Sequence, residues 1–201
     1  MLSRRQLLAA GAALAAGSAG LRSAEAHKAG EKYVLPEKFM PRLVSMRQRF
    51  EPGTIDVFPD QYWLFLHLSG RKALRYSVGV GRGNLYHSGA FFVGAKKEWP
   101  EWTPTPDMIR RDPDQYAKHA DGMAGGINNP LGARALYLFT KEKGDTFLRI
   151  HGTNDPRTIG VAVSNGCARL VNDQVVELYD KVPEGTRVVL HPKSGMGPVH
   201  S

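Results

Sequence analysis

Between residues 54 and 191 the chain alternates hydrophobic with polar positions or forms short apolar runs, separated by turn-forming residues. Alternation with a period of two is typical of strands that bury one face. The pattern therefore predicts seven strands, of which the first three form an antiparallel meander: Thr54–Phe58, Tyr62–Leu68, Lys72–Val80, Phe91–Lys96, Ala135–Thr140, Thr146–His151 and Arg187–His191.

Helical patterns are few. Asn172 is a favourable N-cap for a helix over Asp173–Lys181, whose apolar side carries Val175, Val176, Leu178 and Tyr179. A second short helix is expected around residues 113–119, inside an irregular region, 97–132, that is rich in Pro, Gly and Asn. Loops of this length in compact domains are usually functional, so we expect residues 99–132 to form a lid. The sum is a mostly β single domain with one or two short helices.

Residues 1–26 have the features of an export signal. Ser3-Arg4-Arg5-Gln6-Leu7-Leu8 is a twin-arginine pattern, an uncharged segment follows, and Ala24-Glu25-Ala26 is a small-x-small cleavage site. The uncharged segment is shorter than the ~20 residues that span a bilayer. We therefore expect cleavage and export to the periplasm or cell-wall space of a bacterium, with no membrane span afterwards. Residues 27–53 would be a lead-in, 54–191 the functional domain and 192–201 a tail.

The chain is basic, with a formal net charge of +8. This favours an anionic partner such as acidic lipid or a carboxylate-rich cell wall. Nucleic acid is not expected as a partner, because the chain is predicted to leave the cytoplasm and has no run of five or more like charges. One cysteine and scattered histidines lack the spacing of metal ligands, so no metal and no cofactor are expected. The glycines of residues 79–83 recur at every second position, which indicates a turn rather than a phosphate-binding loop.

The only cysteine, Cys167, is the strongest candidate for chemistry. A single cysteine in an exported protein is buried and inert, paired with another molecule, or reactive. His151 lies sixteen positions upstream at the end of a predicted strand, on the face opposite Leu148 and Ile150. Because an imidazole within reach can generate the reactive thiolate, we interpret Cys167 as the nucleophile and His151 as the general base and proton donor. The other six histidines are expected to be surface or structural residues.

The neighbours of this pair have expected supporting roles. Gly152 allows a tight turn behind His151, and Ser164, Asn165 and Gly166 form a turn whose backbone N–H groups would provide an oxyanion site. Arg169 would favour the thiolate, bind a substrate carboxylate, or form a surface ion pair; its spacing leaves these roles open.

These residues also resemble a known family. His151-Gly152-Thr153-Asn154, Ile159-Gly160 and Ser164-Asn165-Gly166-Cys167-Ala168-Arg169-Leu170 resemble the signature of the L,D-transpeptidases of bacterial cell walls, which have a YkuD-type catalytic domain. The ErfK/YbiS branch is most similar, and the resemblance covers residues 54–190. Two departures stand out: Asn165 replaces a histidine found in many members, and His87-Ser88-Gly89-Ala90 replaces the common Thr-Pro-x-Gly strand lead-in.

The resemblance implies a β-sandwich-like catalytic domain over residues 54–191 that acts on peptidoglycan stem peptides. Cys167 would attack the bond between diaminopimelate, the third residue of a tetrapeptide stem, and the terminal D-alanine, forming a thioester. An amine would then accept the acyl group, either from a second stem, which gives a cross-link, or from a lysine of an outer-membrane protein or lipoprotein. His151 would be the base, oriented by a backbone carbonyl such as that of Gly152, and Arg169 would bind a diaminopimelate carboxylate.

Two other functions remain open on the sequence. A hydrolase would form the same acyl-enzyme and pass it to water, acting as an L,D-carboxypeptidase or releasing wall-anchored proteins. A wall-binding module without catalytic activity would keep the turn as a vestige.

Overall fold

The apolar runs of the sequence form strands of one large sheet. The computed structural model describes residues 33–193, and these residues form eleven strands: β1 (Arg42–Ser45), β2 (Ile55–Phe58), β3 (Trp63–Leu68), β4 (Lys72–Ser77), β5 (Val80–Gly81), β6 (Gly89–Glu98), β7 (Arg134–Thr140), β8 (Gly144–His151), β9 (Ala162–Ser164), β10 (Ala168–Arg169) and β11 (Arg187–Leu190). The predicted export signal, 1–26, lies outside the described residues and stays a prediction.

Nine of these strands form a single mixed sheet in the order β1-β4-β3-β2-β11-β6-β7-β8-β10, and β5 pairs with β9 separately. The expected meander is present as the antiparallel neighbours β2, β3 and β4. Within the nine-stranded sheet two neighbouring pairs are parallel, β2 with β11 and β8 with β10. The prediction of a mostly β domain is confirmed.

A backbone bridge joins β10, at one end of this sheet, to the segment that follows β4 near the other end. Gly79, two residues after β4, exchanges both backbone hydrogen bonds with Arg169 of β10, each 2.9 Å long. The main cluster of buried side chains accordingly includes residues from strands far apart in the order, such as Tyr76 of β4 and Ala168 of β10. Strands from both parts of the sheet therefore share the main hydrophobic cluster, and a second, smaller cluster contains Met46, Phe58, Phe65 and Ala73.

Three α-helices occur in the described residues: α1 (Pro106–Arg111), α2 (Pro113–Tyr116) and α3 (Asn172–Lys181). α3 packs Val175 and Leu178 into the core. The prediction that Asn172 caps this helix is wrong, because Val171 holds the N-cap position without a side-chain bond. The Oδ1 atom of Asn172 instead accepts a hydrogen bond of 2.9 Å from the backbone N–H of Ala133.

The lead-in contains structure that its mixed sequence does not predict. Arg42–Ser45 forms β1, which pairs antiparallel with β4 at the edge of the sheet. The long irregular region likewise contains α1 and α2 where one short helix was expected.

A polar cluster lies between β2, β3 and the residue that follows β11. The carboxylate of the buried Asp56 contacts Nε2 of His67 at 2.8 Å and Nε2 of His191 at 2.5 Å. The His67 ring stacks on Phe50 and the His191 ring on Phe58. Burial alone would raise the pKa of Asp56, but hydrogen bonds and the charges of His191 and His67 outweigh it and lower this pKa to about 2. His67 and His191 thus have structural contacts with Asp56 and with aromatic rings.

Candidate active site

The parallel pairing of β8 with β10 assembles the predicted site. Ala168 lies opposite Ile150 and Arg169 opposite His151 in this pairing. Because β10 begins directly after Cys167, the pairing brings the cysteine turn against the end of β8. His151, Cys167 and Arg169 consequently line one cavity.

The turn before Cys167 is fixed by a serine and a glycine. The Ser164 hydroxyl accepts a hydrogen bond from the Gly166 N–H at 3.2 Å and donates one to the Cys167 carbonyl at 2.7 Å. Gly166 has φ +127°, a conformation that side chains disfavour, and a Cβ there would come within 2.9 Å of the Leu85 carbonyl oxygen. The turn thus requires glycine at this position.

The Cys167 side chain is half-buried beside the backbone of β8. Its Sγ lies 3.9 Å from the carbonyl oxygen of Phe147, within reach of a weak S–H···O hydrogen bond. Burial raises the pKa of the Cys167 thiol, although a hydrogen bond from the Arg149 backbone and the charges of Arg149 and Arg169 act in the opposite direction. The resting thiol is therefore protonated at neutral pH.

His151 is buried, and its ring is held by the backbone of the next residue. Nδ1 lies 2.5 Å from the Gly152 carbonyl oxygen, which can only accept, so this nitrogen carries the proton and Nε2 keeps a free lone pair. Burial and the charge of Arg169 lower the pKa of His151 to about 3, while the carbonyls of Gly152 and Leu131 raise it less. The imidazole of His151 and the thiol of Cys167 are thus both neutral at neutral pH.

Position 152 requires glycine, because its surroundings leave no room for a side chain. A Cβ at this position would overlap Oδ1 of Asn172 and come within 3.0 Å of the Ala133 nitrogen and 3.1 Å of a Val175 methyl. Gly152 therefore lets β8 end close against α3 and keeps its carbonyl available to His151.

Arg169 lies in the wall of the cavity with part of its guanidinium unpaired. Its Nε is buried and has no hydrogen-bond partner within residues 33–193. Its aliphatic stem packs on Gly79, where a Cβ would come within 2.9 Å of Cγ. The side chain is thus held from behind, while its polar end faces a cavity, which suits it to bind an anion.

The side-chain amide of Asn165 is hydrogen-bonded to the long irregular region. Its Oδ1 accepts a hydrogen bond from Arg111 Nη2 at 2.6 Å, and its Nδ2 donates one to the Tyr116 hydroxyl at 2.8 Å. Both partners belong to the helical part of the long irregular region, so this region is attached directly to the cysteine turn.

The cavity has a volume of about 470 Å³. One wall is formed by aromatic, histidine and methionine side chains of the irregular region: Trp102, Met108, Tyr116, His119 and Met123. The same cavity is also lined by the predicted reactive residues and their polar neighbours: His151, Asn154, Asp155, Ser164, Cys167 and Arg169. A substrate bound here would touch the thiol, the imidazole and a cation together.

Comparison with known proteins identifies the domain. The family model of the L,D-transpeptidase catalytic domain, YkuD, matches residues 52–190. The chain belongs to the L,D-transpeptidase family. The probable L,D-transpeptidase ErfK/SrfK of Escherichia coli (strain K12) is 33% identical over 169 residues, which are 79% of this chain but 46% of that protein. This chain therefore spans about half the length of ErfK/SrfK.

A second relative matches over nearly its whole length. An L,D-transpeptidase homologue from the ATP synthase subunits region of Fuscovulum blasticum is 33% identical over 193 residues, covering 93% of this chain and 96% of the relative. The resemblance to the ErfK/YbiS branch of the L,D-transpeptidases is confirmed.

Solved structures share the fold of this transpeptidase domain. An L,D-transpeptidase from Mycobacterium smegmatis has a TM-score of 0.51 at 17% identity and covers 69% of this chain and 58% of that chain. A probable carnitine operon oxidoreductase from Brucella melitensis is 46% identical, with a TM-score of 0.53, and covers 76% of this chain and 93% of that one. The word oxidoreductase describes the Brucella protein and is not applied to this chain. In this chain the glycines of residues 79–83 lead into the three-residue 3-10 helix Gly83–Leu85, unlike a dinucleotide-binding loop.

Several residues of the transpeptidase site could not be found from the sequence. Gly79 supports Arg169 from the segment between β4 and β5, ninety positions away, and Phe147 approaches the sulfur through a backbone carbonyl that no side-chain pattern reveals. The sequence indicated Tyr116 and His119 only as members of a long irregular region.

Among residues 33–193, no helix combines the length and apolar character needed to cross a membrane, and no three His, Cys, Asp or Glu side chains converge as metal ligands.

Proposed function

We propose that this chain is a cysteine-dependent peptidoglycan L,D-transpeptidase that acts in the periplasm or cell-wall space. Its donor substrate would be a tetrapeptide stem, cleaved between diaminopimelate and the terminal D-alanine. The observation that carries the proposal is that Cys167, His151 and Arg169 line the same cavity inside a domain of this family.

The proton transfers follow from the neutral resting state of the pair. As the Cys167 sulfur attacks the diaminopimelate carbonyl carbon, its proton passes to Nε2 of His151, which the bond from Nδ1 to the Gly152 carbonyl leaves free. The resulting imidazolium gives a proton to the nitrogen of D-alanine as the C–N bond breaks. A thioester on Cys167 remains.

The second half of the reaction reverses these transfers. An acceptor amine attacks the thioester carbonyl and loses a proton to His151, and the imidazolium returns it to the departing sulfur. The backbone N–H of Cys167 is the proposed oxyanion donor, because Ser164 already engages the N–H of Gly166. The unpaired Nε side of Arg169 is the proposed binding point for a substrate carboxylate.

The test is a product analysis with the purified protein. Wild type incubated with tetrapeptide-stem muropeptides is expected to release D-alanine and give cross-linked dimers, and Cys167→Ala to give neither, as read by mass spectrometry. Identical products from wild type and Cys167→Ala would refute the proposal. Tripeptide without dimer would indicate the hydrolase that shares this acyl-enzyme.

A covalent probe separates the enzyme from a catalytically silent wall-binding module. A carbapenem is expected to add its mass to wild type at Cys167 and to leave Cys167→Ala unmodified. An unmodified wild-type protein that still binds purified peptidoglycan would favour the silent module. Adding a lysine-bearing outer-membrane protein or lipoprotein to the product analysis distinguishes a protein acceptor from a second stem.

A further inference from the structure

The link between the cysteine turn and the helices α1 and α2 is more extensive than the catalytic chemistry requires. Asn165, two residues before Cys167, uses both ends of its amide to bind Arg111, the last residue of α1, and Tyr116, the last residue of α2. An asparagine that merely shaped the turn would bond to its own backbone. Its two bonds instead cross to a segment about fifty positions earlier.

A second connection runs in parallel with the first. The Arg82 backbone N–H donates to the Ser164 carbonyl at 3.0 Å, and its Nη2 lies 2.6 Å from a carboxylate oxygen of Asp112. Asp112 is the residue between α1 and α2, and its carboxylate is also 3.6 Å from Nε of Arg111. The helix pair is therefore fastened to Ser164 and Asn165 at adjacent points.

These hydrogen bonds and the Arg82–Asp112 ion pair determine the position of one wall of the cavity. α1 and α2 have six and four residues, too few to be stable as isolated helices, so their position depends on tertiary contacts. Met108 and Tyr116 from these helices line the cavity that contains Cys167. Movement of the pair away from the turn would open the sulfur to solvent.

We propose that Asn165 is a positioning residue that keeps the α1–α2 wall closed over Cys167 and so favours an amine over water as the acyl acceptor. The inference rests on the proposed function, because it concerns the fate of the thioester. Exclusion of water from a closed site suppresses hydrolysis of a reactive intermediate. The neutral amide holds the wall while still permitting it to open; a carboxylate in its place would face Arg111 with a stronger, charge-assisted bond.

Two substitutions at this position are expected to act in opposite directions. With tetrapeptide-stem muropeptides, Asn165→Ala should lower the ratio of cross-linked dimer to tripeptide about fivefold, the factor lost with one ordinary hydrogen bond. Asn165→Asp should retain or raise that ratio while lowering total turnover, because the wall opens less often. A residue needed only for folding would lower both products together and leave their ratio unchanged.

Adjacent arginines provide a matched control. Arg111→Ala should lower the ratio as Asn165→Ala does, whereas Arg110→Ala should leave it unchanged, since Arg110 pairs with Asp107 inside α1. Equal ratios in all four variants and wild type would overturn the inference, and so would an equal fall with Arg110→Ala.

Hydrogen–deuterium exchange keeps the inference testable if the proposed function fails. Exchange of residues 106–116 should be faster in Asn165→Ala than in wild type and unchanged in Arg110→Ala. A wild-type protein that forms neither dimer nor tripeptide refutes the proposed function. Unchanged exchange in Asn165→Ala refutes the positioning role independently.

Discussion

Burial sets the protonation of the two side chains proposed to react, because it disfavours both the thiolate of Cys167 and the imidazolium of His151. A cysteine and a histidine that formed an ion pair at rest would be chemically different, since a thiolate reacts with electrophiles at all pH values above its low pKa. In the mechanism proposed for this protein the thiol is activated only when His151 accepts its proton during attack.

The alkylation of Cys167 tests this resting state. The rate constant with iodoacetamide is expected to rise continuously from about pH 6 to about pH 9, because the raised pKa keeps the thiol protonated over this range. His151→Gln should keep the same shape of profile. A fast rate that stays constant between about pH 5 and pH 7 in wild type, and disappears in His151→Gln, would contradict a neutral pair.

At the scale of elements, β8 departs from a regular strand next to the proposed nucleophile, Cys167. Between the pairs Tyr137–Arg149 and Phe139–Asp145, β7 has one residue and β8 has three. At the centre of this bulge Phe147 has φ +61°, an exposed side chain and a carbonyl directed at Sγ of Cys167. A bulge of this kind redirects backbone groups at functional sites.

Substitutions of Phe147 should separate backbone strain from side-chain contacts. Phe147→Val is expected to lower the free energy of unfolding by about 1–2 kcal/mol, because β-branched residues are strongly disfavoured at positive φ. Phe147→Gly should be neutral or slightly stabilising, since the side chain is 69% exposed. Urea unfolding measures both, with Lys97→Val in β6 as the control at an exposed, extended position. Equal losses for Phe147→Val and Lys97→Val would show that the bulge carries no strain.

Elements were predictable where one side of the chain is buried. The alternation around Leu148 and Ile150 predicted β8, and both side chains are buried in the main hydrophobic cluster. β1 was missed because Arg42–Ser45 is a short edge strand with mostly exposed residues, which leaves no burial pattern. The N-cap role predicted for Asn172 was wrong, because its amide oxygen accepts a hydrogen bond from Ala133, thirty-nine positions away. Local capping rules contain no information on such a distant partner.

The residues of the candidate site also divide into those that the sequence predicted and those that only the fold reveals. His151, Cys167 and Arg169 were identified by residue type, spacing and family resemblance. The partners that fix them, such as Gly79 and Tyr116, come from distant segments brought together only by the folded sheet.

At the scale of the whole molecule, two buried groups make stability depend on pH. The pKa of His151 falls from an ordinary 6.5 to about 3 on folding, and that of Asp56 from 3.8 to about 2. Between the two values of each group the unfolded chain binds a proton that the folded protein does not, so stability rises with pH. Each contribution is complete above the unfolded-state pKa and is lost as the pH falls toward the folded-state value.

Unfolding by urea at a series of pH values tests these two contributions. Wild type should lose stability first below about pH 6.5 and again below about pH 4, the second loss being on the order of 2 kcal/mol from Asp56. Asp56→Asn should be less stable at neutral pH and show a smaller decline below pH 4, and His151→Gln a smaller decline between pH 6.5 and 3. Parallel curves for all three proteins would refute this assignment.

The bridge between Gly79 and Arg169 joins residues ninety positions apart in sequence. Contacts of such long range form late in folding, because the entropy of closing the intervening loop is lost before they contribute. The support behind Arg169 therefore does not exist in a partly made chain or in a fragment that ends before β10. If the proposed acyl transfer is observed, it would serve as an assay of complete folding. A fluorescence signal from the β2–β4 meander alone could not replace it.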